Sequence, residues 1–181
     1  MSITDKTYFK ADITLPKSEF DNIQEYIDRF EKDVLIDLLG YKYYKEVIKT
    51  GAELVEPFKS LVEGKEYEDT YNGKTILVKW NGLKNAEKVS LISYYVYCYC
   101  MRSLVSSTQS VGEVKSKQAN SAYANIHGKV LAAWTNFENL YGSASNSKVI
   151  PSAYNYLLKH ESDFPDWIFT ELEGSMNSHD L

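Results

Sequence analysis

Leu91-Ile92-Ser93-Tyr94-Tyr95-Val96-Tyr97-Cys98-Tyr99-Cys100-Met101 is the stretch on which the fold turns. It forms the centre of a predicted helix over about 84–107 and is apolar or aromatic on every side. A helix without a polar face has to be enclosed on most sides, by its own domain or by neighbouring molecules. Cys98 and Cys100 stand two residues apart, which points them about 200° apart on a helix. They can neither bridge each other nor readily share a metal, and they read as small buried residues of a reducing compartment.

Downstream, a polar loop over 108–116 with Gly112 leads to a second long helix over about 117–141. Tyr123, Ile126, Val130, Trp134, Phe137 and Tyr141 form its stripe at helical spacing, and Gly142 stops it. A Ser/Asn-rich linker follows to Pro151, where Ser152 can cap a short helix reaching about His160. Upstream, Tyr71-Asn72-Gly73-Lys74 sits between extended runs at 65–69 and 75–80, and Asn-Gly in that setting predicts a β-hairpin. Such a hairpin is marginal alone and must lean on the helices. Phe20, Ile23, Ile27, Phe30, Val34 and Leu38 mark an earlier helix from Ser18 to Leu39, stopped by Gly40. Short helices over 41–50 and about 53–62 come next, with Pro57 tolerable only in a first turn. The expected fold is therefore mainly α, a helical bundle with two long central helices and one small β-hairpin. Its parts are an extended N-terminal arm (1–17), a helical domain (18–160, hairpin at about 65–80) and an acidic, aromatic tail (161–181).

Composition narrows the function. Net charge is −5, whereas non-specific nucleic-acid binding needs a basic face. The last 23 residues hold six acids and only Lys159 as a base, so residues 1–158, with 19 charges of each sign, are formally neutral. Fifteen tyrosines supply rings with a polar tip, a residue type favoured where protein covers protein. No apolar run reaches the roughly 18 residues of a membrane span. Lys6, Lys10 and Asp12 interrupt any leader-like run, so a soluble, cytosol-like chain is expected.

Catalytic signatures are missing from the sequence. His127, His160 and His179 are scattered, without zinc-type spacing. Asn72-Gly73-Lys74-Thr75 ends like a phosphate loop, but Glu68 stands where the motif needs glycine. The first helix carries Glu19, Asp21, Glu25, Asp28, Glu31, Asp33 and Asp37 among Arg29 and Lys32, the look of a solvated face. Only carboxylates paired in space keep an enzyme open. No catalytic residue, metal or cofactor is expected. Phe164, Trp167, Ile168 and Phe169 cannot all stand idle in water. Either they fold back on the domain's own core, or they dock on a partner with the acids steering the encounter. On the docking reading, deletion from Phe164 onward leaves the fold largely intact.

The order of features resembles the head–tail connector (adaptor) proteins of tailed phages, as in phages and prophages of Bacteroidetes and the crAss-like group. The residues that carry it are Asp37-Leu38-Leu39-Gly40-Tyr41 followed by Tyr44-Lys45-Glu46, then Trp80-Asn81-Gly82-Leu83 and Tyr94-Tyr95-Val96-Tyr97. Ser110-Val111-Gly112-Glu113-Val114 and Trp134 complete the series. The likeness covers about residues 18–141. It implies a structural virion protein of the neck, without enzymatic activity, assembled in the bacterial host cytoplasm. Copies form a ring, commonly of twelve, beneath the portal, extending the DNA channel and joining the tail; DNA passes without sequence recognition. The implied partners are the protein itself, the portal and a downstream neck or tail protein. Phe164, Trp167, Ile168 and Phe169 become portal contacts, and Val111, Gly112, Glu113, Val114 and Lys115 a subunit-interface or channel loop. A stopper or tail-completion protein, or a non-viral helical binding module, are the alternatives.

Overall fold

The computed structural model describes residues 2–15, 22–109, 112–115, 126–142 and 149–169. The chain is mostly helical. In order it runs through α1 (Ile23–Val47), α2 (Phe58–Glu63), β1 (Lys65–Tyr71), β2 (Lys74–Trp80), α3 (Leu91–Val105), β3 (Ser106–Gln109), β4 (Gly112–Lys115), α4 (Ile126–Tyr141) and α5 (Ala153–Lys159).

α3 packs between α1 and α4, and its all-round apolar surface is enclosed within the chain itself. Every residue from Leu91 to Met101 is buried except Tyr99, which is half-buried. α1 supplies Ile27, Val34, Leu35 and Leu38, all 0 % exposed, and α4 supplies Val130, Ala133, Trp134 and Phe137. Full burial of such aliphatic side chains contributes about 1.5–3 kcal/mol each. α4 is described from Ile126; the expected upstream turns at 117–125 lie outside the described residues.

α3 starts at Leu91, not at 84. Lys88 takes φ +58°, which a continuing helix forbids. Asn85 closes the loop ahead of it, its Oδ1 accepting from the Val89 amide at 3.1 Å. The Ser90 hydroxyl then caps α3, accepting from Ile92 N at 3.3 Å while donating to Leu83 O at 2.7 Å. α2 likewise starts later than expected, at Phe58 behind a cis Glu56–Pro57 bond, because the residue before a proline is steered away from the α region.

The Asn-Gly hairpin forms as expected. Asn72 (φ +49°) and Gly73 (φ +74°) make the two-residue turn, and β1 and β2 pair antiparallel from Tyr71↔Lys74 to Lys65↔Trp80. Val78 and Trp80 face the core, and Trp80 stacks on Tyr156 of α5 at 5.0 Å. The foot of the hairpin is locked to α2 by direct backbone contact. Leu83 N and Lys84 N donate to Leu61 O and Val62 O at 3.2 and 2.8 Å, and Trp80 Nε1–H reaches Leu61 O at 3.0 Å. Gly82 allows this approach: at φ +82° a Cβ there would lie 2.5 Å from Gly64 N.

The segment read as a polar loop at 108–116 contributes a second antiparallel hairpin, with β3 and β4 paired from Ser106↔Lys115 to Gln109↔Gly112. The N-terminal arm is not simply extended. It makes two 3-10 turns, Lys6–Tyr8 and Ala11–Ile13, and buries Ile3, Thr4, Tyr8 and Ile13.

Candidate interaction surfaces

The residues proposed for partner contact do not stand together on the surface. Phe164 is 1 % exposed and meets Tyr43 and Phe58 edge-on, with ring centroids 5.9 and 5.7 Å apart. Trp167 and Phe169 are partly buried against the core. Phe169 lies edge-on to Tyr154 at 4.5 Å and near Tyr141 at 5.6 Å. Ile168 alone points out, at 79 % exposure. Of the two readings open for these four side chains, the fold-back one describes three of them.

The docking of this segment traces to one residue of α1. Gly40 adopts φ +75°, ψ 158° and interrupts the helix, the stop expected from sequence, after which the chain resumes helical turns to Val47. A break leaves the last carbonyls of the preceding turn without their i+4 partners. Trp167 Nε1–H donates to one of them, Leu38 O, at 2.8 Å. Asp166 N–H donates to the Tyr43 hydroxyl at 2.9 Å, and Asp166 pairs with Lys42 at the surface. That hydrogen bond and charge hold the Lys42 ammonium above the usual lysine range.

For the second predicted segment, Gly112, Glu113, Val114 and Lys115 form β4, while Val111 lies outside the described residues. This hairpin continues directly from the end of α3, on the connection between α3 and α4.

A feature missed by sequence reading is Glu31. It belongs to the apolar face of α1 and is only 3 % exposed. Its carboxylate accepts from Ile3 N at 2.5 Å, Thr4 N at 2.9 Å and the Thr4 hydroxyl at 2.7 Å. Desolvation raises its pKa, against the pull of those hydrogen bonds, and Asp28 adds to the rise. Asp28 accepts the Ser2 hydroxyl. Further along the arm, Asp12 accepts from Tyr94 OH at 3.1 Å and from Asn136 Nδ2 at 3.4 Å. Tyr8 OH lies between the amide and carbonyl of Asn85, at 3.2 and 3.4 Å. The helical spacing of Ile27, Glu31 and Leu35 was the available signal, since all three share one face.

The tyrosines are largely spent inside the domain. Tyr95 touches Tyr99, Trp134 and Phe137 at centroid distances of 4.7, 6.3 and 5.3 Å. Burial lifts the Tyr94 hydroxyl to about 12, with Asp12 adding to it. Burial likewise pushes the Cys98 and Cys100 thiols up to about 12.

Among the described residues, no three His, Cys, Asp or Glu side chains gather into a group able to hold a metal ion, and no helix is long and apolar enough to cross a membrane. His160 is engaged structurally: Nδ1 lies 2.9 Å from Tyr156 O, and its ring contacts Tyr156 and Tyr67. A cleft of about 420 Å³ lies between the arm, the end of α1 and the loop before α3. Its lysines are largely answered by acids: Lys49 by Glu46 at 2.5 Å, Lys88 by Asp5 at 3.8 Å. Compared with known proteins, the chain matches no family model, no curated protein and no solved structure.

Proposed function

We propose that this protein is a structural adaptor of a phage neck, assembling into a ring beneath the portal and joining the tail. The observation that carries the reading is the order of short sequence words set out above. Leu38-Leu39-Gly40 forms the bend that receives Trp167. Trp80-Asn81-Gly82-Leu83 anchors the hairpin on α2. Tyr94 to Tyr97 fill the centre of α3, and Trp134 packs on it from α4. On this reading α3 and α4 are the two long central helices of the bundle, and the β3–β4 hairpin that joins them meets the neighbouring copy or the channel. Ile168 is the portal-facing side chain of the tail; Phe164, Trp167 and Phe169 hold the segment that presents it. Near-neutral charge over residues 1–158 suits a channel through which DNA slides without being gripped.

The test is the mass of the purified protein by light scattering, alone and mixed with a candidate portal protein. A defined ring-sized species in either sample supports the adaptor. A monomer that ignores the portal overturns it in favour of a single-partner binding module.

A further inference from the structure

The chain holds two Asn-Gly pairs, Asn72-Gly73 and Asn81-Gly82, and the fold gives them opposite surroundings. Asparagine before glycine is chemically labile, because glycine has no Cβ to obstruct attack of its main-chain nitrogen on the preceding side-chain amide. We propose that Asn72 is a site of spontaneous modification, converted to aspartate and isoaspartate in the folded protein, while Asn81 is protected by its packing.

Water is the only co-reactant. The Gly73 nitrogen gives up its proton to base and bonds to Asn72 Cγ. The Cγ–Nδ2 bond breaks, and that nitrogen takes a proton and leaves as ammonia. The succinimide ring so formed then adds one water. Opening between the main-chain carbonyl and the Gly73 nitrogen leaves the chain running through the side chain, as isoaspartate. Opening at Cγ gives ordinary aspartate.

At the tip of the first hairpin nothing opposes this step. Asn72 and Gly73 are exposed, and a Cβ built on Gly73 would meet no atom within 4 Å. Neither the Asn72 side chain nor the Gly73 N–H has a hydrogen-bond partner among the described residues. Only the turn has to flex for the two reacting atoms to meet. Gly82, by contrast, is buried, and a Cβ there would lie 2.5 Å from Gly64 N and 2.6 Å from Val62 O. Its flanks are pinned as well: Trp80 pairs with Lys65, and Leu83 N and Lys84 N are bonded to Leu61 O and Val62 O. Turning Gly82 N onto Asn81 Cγ requires these contacts to open first. At Asn72 the isoaspartyl product adds a methylene to the main chain and a carboxylate to a two-residue turn that sets the β1–β2 register.

The purified protein is held at pH 8 and sampled over time, folded and in urea. Peptide mass spectrometry locates the replacement of –NH2 by –OH, and an isoaspartate-specific methyltransferase counts the isoaspartate. In folded protein Asn72 should convert at least about tenfold faster than Asn81, where local opening must precede the reaction. In urea the two rates should converge. Asn72→Gly, which retains a residue suited to positive φ in the turn, should abolish the isoaspartate signal of the folded protein. Equal rates at the two asparagines in folded protein overturn the proposal. So does an Asn72 that stays intact when folded yet converts in urea, or a signal that survives Asn72→Gly.

Discussion

Replacing Phe164 by alanine measures how far residues 161–169 belong to the domain. The ring is 1 % exposed and is held edge-on by both Tyr43 and Phe58. Truncating a buried phenylalanine costs about 3–5 kcal/mol, the lost transfer energy plus the cavity left behind. Two edge-to-face contacts, each of about 0.5–1.5 kcal/mol, place this site in the upper half of that range, so about 4 kcal/mol is expected. For a domain of this size that corresponds to a melting point lower by roughly 8–16 °C. It is also a large share of the 5–15 kcal/mol of a typical fold. Ile168→Ala, four residues on and 79 % exposed, is the internal control and should change stability by less than about 0.5 kcal/mol. Urea unfolding followed by tryptophan emission reads both. A Phe164→Ala loss below about 1 kcal/mol, or equal effects of the two substitutions, would refute the claim that this segment is part of the core. The same reasoning reverses the expectation that deletion from Phe164 onward spares the fold, since that deletion removes a core side chain and the Trp167 bond to Leu38.

Further outcomes follow from the backbone and from ionisation. Gly82→Ala should cost at least about 3 kcal/mol, because a Cβ at φ +82° meets main-chain atoms of Gly64 and Val62. Gly40→Ala meets no atom within 4 Å and should cost only about 1–3 kcal/mol, for a backbone conformation (φ +75°, ψ 158°) that essentially only glycine adopts; paired denaturation curves separate the two. The Glu31 pKa is raised in the folded protein, so the folded state holds that proton more tightly than the unfolded one. Its stabilising contribution is complete below the ordinary glutamate value of 4.5 and is lost as pH rises through the elevated one. Wild-type stability relative to Glu31→Gln should therefore fall with rising pH across that window in a urea series; a difference that grows with pH would contradict the desolvated carboxylate. Cys98 and Cys100 should stay unreactive to a thiol reagent in native protein at pH 8 and react after unfolding, since their thiols are lifted to about 12; native-state labelling at the rate of a free thiol would refute that burial.

What could be read from sequence was what local chemistry dictates. Asn72-Gly73 announces its turn because few other residues tolerate two successive positive φ values, and the stripe on α4 and the apolar centre of α3 follow from periodicity alone. Gly40 is legible as a stop, but the acceptor role of the Leu38 carbonyl ahead of it is not, because Trp167 lies 129 residues from Leu38. The onset of α3 is not legible in sequence because residues 84–90 form a loop built on Asn85 and on the cap at Ser90, bonds that periodicity does not reveal. The charge of Glu31 argues for water, whereas its spacing from Ile27 and Leu35 marks it as inward-facing. The β3 strand, Ser106–Gln109, is Ser-Ser-Thr-Gln, with no alternation to announce it; its order comes from pairing. Of the four tail side chains, three found partners on α1, on α2, or on α4 and α5, contacts set by tertiary structure alone.

α1 is clasped from both sides of the sequence, by Ile3 and Thr4 at Glu31 and by Asp166 and Trp167 at Tyr43 and Leu38. During synthesis these two clasps become available at very different times. The arm leaves the ribosome before the helix does, whereas Phe164 is added 117 residues after Val47, the last residue of α1. At ribosomal speeds of about 5–20 residues per second, the Gly40 end of α1 waits roughly 6–23 s for its cover. Through that interval Tyr43 and Phe58 lack the ring that covers them, so the socket beside the bend at Gly40 is among the last parts of the core to close.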